Sequence, residues 1–153
     1  MTPDDDDEKL DFGKLPPEID LLLQQGVAAH FNDPALAERS FLAALALAPQ
    51  TLPAHRCLVK HYNRCRQFDK ALPAAHNWLE AAAALAGLPD DWQRWQSAPG
   101  SALAALKGLA FVHLRDGQHV RAAAMIARVM ALDPEDAVGG SVVAALLPEA
   151  ETA

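Results

Sequence analysis

Aromatic residues are scarce in this chain of 153 residues: one Tyr, three Trp and five Phe make up 6% of it. Alternating β-branched stretches are missing as well, so the residues that suit a pleated, half-buried strand are too few to build a sheet. No run of 18 apolar residues occurs, which leaves no candidate membrane span and no membrane partner. The Asp-rich start has neither the basic nor the apolar region of a secretory signal, so a cytoplasmic location is the default expectation. Only two cysteines are present, Cys57 and Cys65. Eight residues apart on one helix, they lie about 12 Å apart along its axis, beyond the roughly 7 Å Cα limit for a disulfide. Free thiols are expected, in keeping with a reducing compartment.

Positive charge is in short supply: 13 Lys and Arg stand against 20 Asp and Glu, for a net charge of -7. The imbalance is local. Residues 1–20 hold eight acids and two bases, whereas the other 133 hold twelve acids and eleven bases. An acidic start followed by a nearly neutral body argues against nucleic acid as a partner, because phosphate binding needs a positive field. Phosphate-loop, dinucleotide, zinc-protease, CxxC and GxSxG motifs are all absent.

What is abundant is Ala and Leu, in segments whose apolar positions recur at helical spacing and stop at Pro, Gly or Asn-Asp. This predicts an all-α chain with helices at about 17–31, 34–48, 52–65, 68–86, 101–115, 118–131 and 135–147. Asp33-Pro34 and Asp133-Pro134 each place a capping carboxylate before a Pro suited to the first helical turn. Asp116-Gly117 ends one helix and lets the chain turn back. Residues 1–16 read as an acidic, disordered tail, 17–147 as one helical domain with an inserted loop at about 87–101, and 148–153 as a disordered end.

An internal repeat runs through these helices. Ala37, Phe41 and Pro49 share their spacing with Ala122, Ile126 and Pro134, and Ala71 follows Ala37 by 34 residues. Tyr62 and His113 are 51 apart, as are Ala71 and Ala122, which is one 34-residue period plus an insertion of 17. On Gly26, Ala37, Phe41 and Pro49, on Leu58, Val59, Tyr62 and Ala71, and on Leu106, Leu109, Ala110, His113, Gly117, Ala122, Ile126 and Pro134, the chain resembles the tetratricopeptide repeat (TPR) family. That resemblance implies an antiparallel helix-pair solenoid of about three units with a C-terminal capping helix, Glu135 to Leu147. No Trp opens any unit, and Pro73 falls early in a helix. The small residues would sit where helices approach closely, and Phe41, Tyr62 and Ile126 would fill the space between units. A fainter pattern, Asp20-Leu-Leu-Leu-Gln-Gln-Gly, Gly-Leu-Pro-Asp-Asp-Trp and Leu-Asp-Pro-Glu-Asp, is similar to small bacterial TPR-like proteins encoded among nitrogen-fixation genes.

The resemblance implies a concave groove lined by the first helix of each pair, with a peptide or partner protein as ligand. Projected onto this chain, the groove takes Leu23, Val27 and His30 from the first unit. Arg56, Lys60, Asn63 and Arg64 come from the second, and Lys107, Phe111 and Arg115 from the third. Five bases and no acid make an acidic peptide the fitting partner; the alternative is that these are ordinary solvated helix faces. The run Asp4 to Glu8 reads as a solubilising tail or, by its charge, as an occupant of that groove. A secretion or assembly chaperone is the second functional reading.

Trp92 and Trp95 sit in the insertion, either pinning the loop or offering a second binding surface; Trp78 reads as core. Cys57, His61 and Cys65 form an i, i+4, i+8 stripe that reads as packing, with no metal and no cofactor expected. No nucleophile–base arrangement is visible, so the chain reads as a non-enzyme. Self-association is possible through an end cap or the Ala-rich segment from Ala81 to Ala86.

Overall fold

The computed structural model describes residues 10–147. Every regular element among them is helical, and no strand forms. The helices are α1 (Pro17–Ala29), α2 (Pro34–Leu47), α3 (Leu52–Arg64), α4 (Phe68–Ala86), α5 (Gly100–Arg115), α6 (His119–Leu132) and α7 (Gly140–Ala144), with a 3-10 turn at Trp92–Arg94 before α5.

Local chemistry sets most boundaries. Pro17 opens α1, with Glu18 and Asp20 in the first turn, where negative charge favours the helix dipole. Asp33 caps α2 by accepting a 3.1 Å bond from the Leu36 amide, with Pro34 at the first helical position. At the end of α4, Gly87 adopts φ +67 and closes the terminus, since a residue without Cβ enters the left-handed region at no steric penalty.

Consecutive helices pack on each other, and α1 also touches α3 while α3 touches α5. The close approaches use small residues. Ala37, Ala71, Ala110 and Ala122 have no exposed surface. Gly26 lies so near Phe41 that a Cβ there would enter the ring's van der Waals envelope, and Gly108 stands in the same relation to Trp78. Phe41, Tyr62, Trp78 and Ile126 are buried between helices.

Two segments depart from expectation. The last helix does not run over 135–147: Asp133 accepts bonds from the Ala137 and Val138 amides at 3.0 and 2.9 Å, tying residues 133–138 into a loop. Asp136 takes φ +58 and its carboxylate receives the Ser141 amide and hydroxyl, so α7 starts only at Gly140. Residues 10–16, expected as tail, lie along α1: the Gln24 side chain receives the Leu10 amide at 3.2 Å and donates to its carbonyl at 2.6 Å. Phe12 and Leu15 pack against the core. Asp4 to Glu8 and residues 148–153 lie outside the described residues. No helix among the described residues is long and apolar enough to cross a membrane.

Candidate functional site

A cleft of about 530 Å³ is built around α3. Leu52 opens that helix and lines the cleft; Arg56, Lys60 and Arg64 follow at four-residue intervals, so one helical face carries three cations. All three are exposed. Apolar walls come from Val27 of α1, Phe41 of α2, Trp78 of α4 and Ala104 of α5. Phe31 stands at the cleft 82% exposed, a large apolar ring with little protein around it. Leu10, Asp11 and Phe12 complete the wall from the N-terminal side.

The three cations have no ion-pair partner among the described residues, where the one ion pair is Lys70 to Glu38 at 3.3 Å. Burial, then the neighbouring Arg56 and Arg64 charges, hold the Lys60 ammonium below its usual range. An anion entering the cleft would relieve that repulsion. Asp11, which the projected groove did not contain, also lines the cleft; one of its oxygens accepts the Gly13 amide at 2.8 Å.

Of the residues projected onto the groove, the cleft gathers Val27, His30, Arg56, Lys60 and Arg64. The other five are elsewhere. Leu23 has no exposed surface and Asn63 is buried, so neither meets a ligand. Their side chains point into the helix packing because the apolar stripes of α1 and α3 turn them there. Lys107 donates to the Val138 carbonyl at 2.6 Å and thereby anchors the loop before α7. Arg115 lies 5.7 Å from the centroids of both Phe111 and Phe68, which makes a stack at the far end of α5. The second surface is not formed by Trp95, which is 1% exposed, donates from Nε1 to the Pro89 carbonyl at 2.8 Å and receives Arg128 on its own carbonyl at 3.3 Å. Trp92 is half-buried against the core.

One grouping was not legible in the sequence. His30, at the end of α1, meets His61 of α3 with their Nδ1 atoms 2.7 Å apart. His61 Nε2 lies 4.0 Å from Cys65 Sγ, and one ligand atom from each of the three residues falls within 4.8 Å of the others. Both imidazoles are buried and their pKa values are lowered, chiefly by loss of solvent; Arg64 adds to this at His30, and His30 itself adds to it at His61. Cys57, the other thiol of the stripe, is pushed up to about 11 by burial and stays a neutral, weakly nucleophilic thiol at pH 7. The i, i+4 spacing of His61 and Cys65 was a signal for this group. His30, 31 residues upstream, carried none.

No family model, curated protein or solved structure matches the chain.

Proposed function

We propose that the chain is a non-enzymatic binding module, a TPR-like solenoid of three helix pairs that holds an acidic peptide segment of a partner protein in the cleft along α3. The observation that carries this reading is the set of three exposed cations, Arg56, Lys60 and Arg64, on a wall opposite apolar side chains, with no carboxylate paired to them among the described residues. Arg grips a carboxylate through two parallel N–H donors, and Lys adds a compact charge. Val27 and the exposed Phe31 suit an apolar anchor residue next to the acids. The solenoid part of the reading is supported by the sequential helix packing and by the α1–α3 and α3–α5 contacts, which put the first helices of the pairs side by side.

Fluorescence anisotropy with labelled peptides tests it. A peptide carrying an aromatic residue followed by several Asp or Glu should bind, more weakly as salt rises. The Arg56→Glu, Lys60→Glu double variant should weaken binding by more than about tenfold, equivalent to 1.4 kcal/mol. Equal affinity for wild type and variant, or for acidic and neutral peptides, overturns the reading. Deleting residues 1–9 tests whether the acidic run competes: tighter peptide binding at low ionic strength is the expected sign of competition.

A further inference from the structure

We propose that His30, His61 and Cys65 form a binding site for one thiophilic transition-metal ion, zinc(II) or copper(I), beside the basic cleft. The donor set fits these ions: imidazole nitrogen and thiolate sulfur are the protein ligands zinc and copper(I) share, and neither hard cations such as magnesium nor calcium would choose them.

The geometry is near what such a site needs. Zinc bonds of about 2.0 to 2.3 Å in tetrahedral arrangement set ligand atoms roughly 3.3 to 3.6 Å apart. Here one donor atom of each residue lies within 4.8 Å of the others, with His61 Nε2 and Cys65 Sγ at 4.0 Å; ligation through Nε2 opens the 2.7 Å Nδ1 contact between the imidazoles and turns the His30 ring toward Nε2. His61 lies in the last turn of α3 and Cys65 is that helix's C-cap, at i, i+4 spacing. His30 is the C-cap of the adjacent α1, and its ring packs edge-on against His61 with centroids 4.8 Å apart. Both imidazoles are buried, 8% and 2% exposed, which keeps their orientation defined by packing.

His30 and His61 line the cleft, and Cys65 is not part of its lining. Three protein ligands therefore leave a position toward the cleft for water or for a group carried by a bound partner, the open arrangement of three-ligand zinc sites; copper(I) needs no fourth ligand. Charge balance puts most weight on Cys65. Arg64 acts on His30 and Lys70 on His61, with only Glu38 opposing them, so the thiolate is the main negative charge available to offset a cation. On ligation the thiol proton passes to solvent, and no bond other than the metal–ligand bonds forms.

The test uses the full chain, reduced and metal-free. Cobalt(II) serves as the spectroscopic stand-in for zinc, and a thiolate-to-cobalt charge-transfer band at one equivalent, reversed by zinc, is the expected result. Copper(I) is titrated separately against a chromophoric copper(I) chelator, which distinguishes the two ions. Cys65→Ser should abolish the band and weaken binding by more than about tenfold, a loss already typical of outer-shell changes. Cys57→Ser should leave both intact. A measurement on the unaltered chain guards against a variant that fails to fold: zinc or copper(I) should protect Cys65, and not Cys57, from alkylation mapped by mass spectrometry. If neither ion binds at one equivalent, or if binding survives Cys65→Ser, or if alkylation of Cys65 is unaffected by metal, the proposal is overturned. Peptide binding is read separately, so failure of one reading leaves the other standing.

Discussion

Tyr62 of α3 donates a 2.6 Å hydrogen bond to the Glu38 carboxylate of α2. Lys70 of α4 reaches the same oxygen at 3.3 Å and also lies 5.9 Å from the Tyr62 ring centroid. Tyr62 is buried, so its hydroxyl depends on this partner; the hydroxyl in turn holds the Glu38 pKa below its usual value. Tyr62→Phe should cost about 1.5 to 3 kcal/mol of unfolding free energy, the range for a hydrogen bond to a charged group. Lys70→Ala should cost less, because its ammonium is half in water. Urea denaturation of both variants checks the order.

Gly26→Ala should destabilise, although Ala is the better helix former by about 1 kcal/mol. The new methyl would meet the Phe41 ring, and overpacking of this kind typically costs about 1 to 3 kcal/mol. Phe41→Leu in the same chain should recover part of the loss, since it vacates the space the methyl needs. Denaturant midpoints of the single and double variants decide; additive losses would show that the two sites are not in contact.

Stability should fall as pH drops from about 6.5, the ordinary His value. His30, His55, His61 and His113 all have lowered pKa values in the folded chain, with loss of solvent as the first cause in each. An unfolded chain then binds more protons than the folded one below pH 6.5, so the stabilising contribution is complete above that pH and is lost as pH falls toward the folded values. Glu38, also lowered, adds a further loss at more acidic pH in the same direction. His113→Phe should flatten the decline without lowering stability at pH 7.5, because it also removes the buried Nδ1 that has no hydrogen-bond partner. Melting temperatures from pH 8 to 5 test this.

Trp95→Ala should cost about 3 to 5 kcal/mol, the usual loss for truncating a large buried aromatic. It removes the ring and its bond to Pro89 together, and the insertion loses its hold on the body. Trp92→Ala should cost clearly less, because that ring is only half-buried. Limited proteolysis read by mass spectrometry should find a new cut between residues 87 and 100 in the Trp95 variant alone.

Helix positions were legible because their causes are local. Pro17, Asp33-Pro34, Asp116-Gly117 and Gly87 act within a turn of their own backbone, and each ends or starts a helix where the sequence places it. Asp133-Pro134 misled for a physical reason: the same carboxylate that can cap a helix also satisfies two amides of a loop, and Asp136, Gly139 and the Lys107 ammonium make the loop the better solution. The three cations of the cleft were legible from their four-residue spacing on one helix. Leu23 and Asn63 were misassigned because a helical projection fixes angles around one axis, whereas burial depends on how neighbouring helices cross it.

By itself, then, the sequence determined that the chain is all-helical and where most helices begin and end. Those properties follow from capping, propensity and periodicity, which act over a few residues. Only the tertiary structure decided that residues 10–12 close one side of the basic cleft, that Trp95 is sealed inside, and that His30 meets His61 and Cys65. These are contacts between distant segments, set by the distance and angle at which packed helices cross, and no spacing along a single helix encodes them.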